Sequence, residues 1–296
     1  MPWHTMNYGI LIMVALYIDP ATTKQSMKDQ IKKYKEIARK ARIKIIEMIW
    51  KAQVSHVGSN LSAIDILTVL YNIANIDKDL KENRDRIVIS KGWIAASIYY
   101  FLAEKGIIPK EDLETFCKEG SKYIGLVEPY VRGIEAAGGS MGFGFPFSVG
   151  FALAKKLKKE KGKVFVLMSD GEMQVGTTWE SAMIATHHKL DNLFVIVDAN
   201  ELQAMGRVKE ILNIEPLKDK WKAFSWEVRE IDGHNFEEIE KSLTSPPLSQ
   251  GKPAVIIAKT IKGKGVSFME GNNLYHYKAP SDEEYQMALK ELESNG

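Results

Sequence analysis

The chain has 296 residues, 45% hydrophobic and 26% charged, which is the balance of a globular protein able to bury one large or two ordinary cores. Its 40 basic and 38 acidic residues leave a net charge of +2 with no basic arm or block, which argues against nucleic acid or an acidic membrane as partner and leaves small molecules and protein. The one cysteine, Cys117, has neither a disulfide mate nor a companion ligand, so a reducing compartment, the cytoplasm, is expected.

In chain order, the first feature is an apolar run over 8–18. It is too short to span a bilayer, lacks a basic flank, and is followed by no small-residue cleavage pattern. An arm packing on another subunit, or a misassigned start with Met27 as the true beginning, is preferred over a weak membrane contact. Residues 1–26 are therefore set apart from a single domain over 27–296. Ile31, Tyr34, Ile37, Ala41, Ile45 and Met48 recur at helical spacing and predict an amphipathic helix over 27–54. Short apolar runs over 86–90, 163–169, 193–198, 226–231 and 254–260 read as strands covered on both faces. Helical patterns over 94–105, 147–161, 178–188, 236–243 and 281–294 fall between and after them. Alternation of this kind predicts an α/β fold, a parallel sheet sandwiched by helices with right-handed crossovers. Pro246-Pro247 reads as a surface loop.

Ligands of open parallel sheets bind beyond the carboxyl ends of the strands, and the unusual residues lie there. The run over 163–169 leads into Ser169-Asp170-Gly171-Glu172, and the run over 193–198 ends in Ala199-Asn200-Glu201-Leu202. An acid beside a glycine at a strand end suits a metal or a phosphate. Asp170, Asn200 and a backbone carbonyl supply about half of the oxygen shell that Mg²⁺ requires, and a diphosphate with water would complete it. Asp-Gly is also a common turn and Asn a common cap. The intact strand, loop, helix, strand unit around both residues favours the cofactor reading.

Ser169-Asp170-Gly171 through Asp198-Ala199-Asn200 resembles the thiamine diphosphate motif. The chain is similar to transketolases in Ser55-His56-Val57-Gly58-Ser59, Ser90-Lys91-Gly92, Gly139-Ser140-Met141-Gly142-Phe143-Gly144, Asp232-Gly233-His234, Lys262-Gly263-Lys264-Gly265 and Tyr275-His276. The resemblance runs in collinear order from about residue 28 to the end, and implies the diphosphate-binding domain fold. It implies thiamine diphosphate as cofactor, with Mg²⁺ (Ca²⁺ or Mn²⁺ as substitutes) held by Asp170, Asn200 and the carbonyl of Leu202. It further implies that Gly171, Glu172 and Asn200 lie at the diphosphate, Ser59 and Lys262 beside it, and Gly139, Ser140 and Met141 along the pyrimidine. His56 would face the substrate as a catalytic group, and His276 both diphosphate and substrate. His187, His188 and His234 are read as structural. The family's pyrimidine-binding and C-terminal domains have no counterpart here. The resemblance thus implies a split transketolase that acts on sugars or sugar phosphates with a C-terminal partner subunit, two copies of each chain forming a heterotetramer.

Some positions depart from the family pattern. Trp93 stands where a histidine is usual, 119–135 holds no histidine, Val175 replaces a glutamate, and Tyr277 replaces a glycine. Changed specificity and a non-catalytic, cofactor-binding scaffold are the competing explanations. The α subunit of a 2-oxo-acid dehydrogenase is a further alternative, opposed by the Lys-Gly-Lys-Gly and Tyr-His tracts.

Overall fold

A computed structural model describes residues 20–245 and 250–294; residues 1–19, with the expected arm's apolar run, and the Pro246-Pro247 loop lie outside the described residues. Helix α1 is Pro20–Ala52. It begins before Met27 and passes through that position unbroken, and proline suits a first helical residue because its missing N–H has no intrahelical role there. Tyr34, Ala38, Ala41, Ile45 and Ile49 form its buried stripe. The chain leaves the helix at Gln53, whose φ of 50° is left-handed.

Helix α2 (Val57–Ile73) follows at once, and every residue from Val57 to Tyr71 is buried. Its pattern is apolar or small on all sides, so no amphipathic stripe announces it. Strand β1 (Arg86–Ile89), α3 (Ala95–Glu104), α4 (Gly144–Leu157), β2 (Val164–Ser169), α5 (Gly176–His187) and β3 (Leu193–Ala199) come next. A two-stranded hairpin of β4 (Leu202–Gln203) and β5 (Gly206–Arg207) leads to α6 (Val208–Ile211) and α7 (Leu217–Ala223). The chain then forms β6 (Glu227–Asp232), α8 (Phe236–Thr244), β7 (Ala254–Lys259) and α9 (Asp282–Ser294).

The main sheet has five strands in the order β1-β2-β3-β7-β6, and every pairing in it is parallel. Side chains alternate between its faces. Phe165, Leu167, Phe194, Ile196 and Ile256 join the core beneath α1, α2 and α3. Val164, Val166, Val195, Val197 and Val255 join a second core with Phe145, Trp221 and Trp226. Phe165 and Phe194 meet across β2 and β3 with ring centroids 5.4 Å apart, and truncating either to alanine is expected to cost about 3–5 kcal/mol. The pairing of Ser169 with Asp198 then fixes the functional rim, because the residues that follow leave the sheet side by side. Among the described residues, no helix is long and apolar enough to cross a membrane.

Candidate active site

Asp170 lies one residue beyond β2 and is buried. Its Oδ1 accepts from Gly171 N at 2.8 Å and its Oδ2 from Glu201 N at 2.6 Å. Burial, followed by the nearby Asp198 carboxylate, pushes its carboxyl up to about 7. Asp198 is in the opposite condition. Burial alone would raise it, but Lys91 Nζ at 2.6 Å, Ser62 Oγ at 2.7 Å and the Thr260 hydroxyl outweigh that and hold it below the ordinary carboxylate range. Lys91 is therefore committed to Asp198, and among the described residues no cation is paired with Asp170.

Asn200 is oriented by the same network. Its Nδ2 donates to Asp198 Oδ1 at 3.1 Å, which turns Oδ1 the other way to accept from Leu202 N at 3.1 Å with a lone pair to spare. The Leu202 carbonyl lies 3.4 Å from Lys262 Nζ. Lys262 is 1% exposed and also donates to Asn273 Oδ1 at 3.0 Å and to His276 Nδ1 at 2.8 Å. Burial, then Lys91, pushes the Lys262 ammonium down to about 8. Among the described residues there is no cluster of three or more His, Cys, Asp or Glu side chains suited to a metal. The donors brought together here are one carboxylate, one amide oxygen and one carbonyl. Such a set suits a hard cation that keeps waters and takes oxygens from a phosphate.

His56 and His276 meet with ring centroids 4.8 Å apart, edge to face, and His56 N donates to His276 O at 2.9 Å. His56 has a φ of 76°, a left-handed conformation held at the start of α2 by that bond and the helix behind it. Burial, then Lys262, pushes His56 down to about 4 and His276 to about 3, so both are neutral near pH 7. Because His276 Nδ1 accepts from Lys262, its Nε2 carries the proton and is a donor. His56 Nδ1 shares a hydrogen bond with Ser55 Oγ at 2.7 Å. Ser59 is buried in the first turn of α2, and its carbonyl accepts from Lys91 Nζ at 3.1 Å.

The loop over 139–144 is tied to this rim by Glu172. The Glu172 side chain is fully buried, and its Oε1 accepts from Gly142 N at 2.8 Å and from the Ser90 hydroxyl. Burial pushes this carboxyl up to about 7. The Glu172 side chain turns inward and holds the glycine-rich loop. Gly142 needs its missing Cβ, since φ is +78° and a Cβ would lie 2.5 Å from Val175 Cγ1. Gly139 is partly exposed, and Ser140 and Met141 are exposed. A Cβ at Gly171 would lie 2.9 Å from Gln203 Oε1, so backbone and side chain approach closely there.

Trp93 stacks on His56 with centroids 4.7 Å apart and planes 26° apart. Tyr277 lies 5.0 Å from His276 and is largely exposed. His234 donates from Nδ1 to Asp65 Oδ2 at 2.8 Å and accepts from Ile261 N at 2.8 Å, a closed structural role. His187 and His188 contact each other at the end of α5. Sequence reasoning gives no role to Lys91 or Asp198. The signal available for Asp198 is a charged residue closing an otherwise apolar strand.

Residues 33–295 match the family described as transketolase, thiamine diphosphate binding domain. Relatives include one chain of the apulose-4-phosphate transketolase of Phocaeicola vulgatus, 39% identical over 86% of this chain and 92% of its own length. The 6-deoxy-6-sulfo-D-fructose transketolase subunit SqwG of a Clostridium species is 39% identical over 85% of this chain and 93% of its own. Among solved structures, the transketolase of Campylobacter jejuni superposes with a TM-score of 0.83 at 34% identity, over 88% of this chain and 42% of that one. The chain therefore spans less than half of that protein.

Proposed function

Since the chain belongs to the family of transketolase thiamine diphosphate-binding domains, we propose that it is the cofactor-binding subunit of a split transketolase, moving a two-carbon ketol unit from a ketose to an aldehyde. One observation carries this reading. Asp170 is a buried carboxylate with no ion-pair partner among the described residues, while Lys262 is a buried ammonium whose proton is loosened by burial and then by Lys91. A divalent cation bound to a diphosphate meets both demands at once.

Asp170, Asn200 and the Leu202 carbonyl would hold Mg²⁺. Gly171 N–H, Ser59, Lys262 and His276 would receive the diphosphate, and the backbone of Gly139, Ser140 and Met141 would pass beside the pyrimidine. Once bound, thiamine diphosphate supplies a thiazolium carbon able to take up and release the two-carbon unit. The chain's own residues manage protons. His276 offers Nε2–H as a donor, and His56 stays neutral and able to accept or return a proton to a substrate hydroxyl. Glu172 acts by holding the loop over 139–144.

The relatives from Phocaeicola vulgatus and Clostridium are each named as one subunit of their transketolase, which supports a partner chain carrying pyrimidine-binding and C-terminal domains. The exposed Met141, Phe143 and Phe147 beside the site suit coverage by that partner. Two copies of each chain are expected, with sugars or sugar phosphates as substrates. Trp93 and Tyr277 reshape the substrate end. The scaffold reading draws on the same departures, and the paired neutral histidines favour a working enzyme over it.

Replacing Asp170 or Asn200 by alanine is expected to abolish Mg²⁺-dependent thiamine diphosphate binding in calorimetry, with the circular dichroism spectrum retained. Unchanged binding in either variant would remove the site assignment. With the partner present, ketol transfer followed by mass spectrometry tests the activity.

A further inference from the structure

We infer that a cavity beside His56 is a subsite for an uncharged, apolar substituent of the sugar substrate, an inference that rests on the ketol-transfer reading. The cavity measures 170 Å³ and is walled by Ile49, Val54, Ala96 and Phe116 together with His56 and Trp93. Close-packed interiors hold few voids larger than a water molecule. An apolar cavity of about 150 Å³ stays dry and accepts a guest the size of benzene.

Ser55 and Asn60, two of the polar groups in the wall, are already engaged. Ser55 Oγ is bonded to His56 Nδ1 at 2.7 Å. Asn60 Nδ2 donates to His56 O at 2.9 Å, and its Oδ1 accepts from Ser97 N at 3.0 Å and Ser97 Oγ at 2.8 Å. Cys117 adds a half-buried thiol, at best a weak donor, which burial keeps protonated. A hydroxylated group passing beyond the His56 and Trp93 rings would give up water and find no free partner in Ser55 or Asn60. No lysine or arginine lines the cavity, so a phosphate or sulfonate would not be neutralised in it.

Trp93 forms the shared wall between cavity and cleft. Its indole rests on His56 and is 42% exposed, presenting a flat apolar surface and a single N–H. C–H groups gain dispersion contact on such a surface, and hydroxyls gain little. The aldehyde that accepts the ketol unit occupies the same place as the aldose that leaves a donor in the reverse direction. An acceptor series therefore probes this subsite.

The test uses the complex of this chain with its partner, loaded with thiamine diphosphate and Mg²⁺, and compares kcat/KM for acetaldehyde, propanal and butanal. Each methylene that enters the cavity is expected to raise kcat/KM by on the order of tenfold. Ala96→Leu, which fills the cavity, should remove that gain. Gly125→Ala is the milder variant, because a Cβ there meets only Cys117 Sγ at an ordinary 3.9 Å. Equal kcat/KM across the series, or a gain that survives both variants, overturns the inference. Absence of transfer to every acceptor would instead overturn the ketol-transfer reading. In that event 1-butanol is titrated into the same complex and followed at the Trp93 indole resonance. A saturable shift that Gly125→Ala weakens supports the subsite, and no shift overturns it.

Discussion

Lys91→Met is the perturbation that tests the buried network most directly. Lys91 and Asp198 are paired at 2.6 Å with side-chain exposures of 8% and 0%. Removing one partner of such a pair leaves a buried charge and typically costs about 3–5 kcal/mol. Asp198 would keep its bonds from Ser62, Thr260 and Asn200, which places the expectation near the lower end, about 3 kcal/mol. For a chain of this size the melting temperature should fall by roughly 6–10 °C in scanning calorimetry. Mg²⁺ affinity should also fall, by about 10–100-fold, because Asp198 orients the Asn200 amide. Pairing Lys91→Met with Asp198→Asn removes the stranded charge and keeps an acceptor for the Ser62 and Thr260 hydroxyls, so part of the stability should return while Mg²⁺ affinity stays low. A melting temperature within about 2 °C of wild type for Lys91→Met, together with unchanged Mg²⁺ affinity, would refute the network's assigned role.

His56 and His276 have folded pKa values below that of a free histidine, so the stability they contribute is present above about pH 6.5 and lost as pH falls toward 4. Urea midpoints should drop across that window, and a His56→Gln, His276→Gln double variant should flatten the drop; an equally steep fall in the variant would contradict it. Glu172→Leu strands the Gly142 N–H and the Ser90 hydroxyl at about 1–3 kcal/mol each, whereas Glu172→Gln keeps an acceptor and should cost less. Limited proteolysis within 139–144 should be faster in the leucine variant, and equal cleavage of the two variants would argue against the tie. Gly142→Ala should destabilise by about 1–3 kcal/mol through both its φ of +78° and the Val175 contact. Adding Val175→Ala should recover only part of that loss in thermal melts, since the backbone term remains; full recovery would mean the dihedral carries no strain.

β2, β3 and β7 were legible because each is a short apolar run whose side chains find a core on one face or the other; β6, at the sheet edge, is not covered on both faces as expected, and its Glu227, Arg229, Glu230 and Asp232 are partly or fully exposed. Asp170 and Asn200 were legible as a pair because the sequence puts them at the ends of two successive apolar runs, and the sheet makes those runs neighbours. Helix α2 escaped because burial on every side erases the periodic signal, and α6 and the β4-β5 hairpin are too short to carry one. The inward turn of Glu172 was hidden for another reason. Its hydrogen-bond donor comes from the loop over 139–144, distant in sequence, so nothing beside Asp170-Gly171 announces it. Likewise Trp93 stood out as a departure, but only folding lays it across His56.

The two ends of the cleft are built on different principles. At the metal end Lys91, Asp198, Ser62, Thr260 and Asn200 satisfy one another within this chain, so the geometry of Asn200 is set before any ligand arrives. At the substrate end Trp93 and Tyr277 present aromatic surface to solvent, and the histidines beside them are held neutral by burial and by Lys262. A surface of that kind fixes orientation through shape and contact area, and leaves charge recognition to whatever faces it. The division fits the proposed split enzyme, in which this chain would hold the cofactor's diphosphate and the partner would recognise a substrate's anionic group. Specificity among relatives can then change at positions such as Trp93 without disturbing Asp170 or Asn200, because no hydrogen bond among the described residues links the indole to the metal-end network.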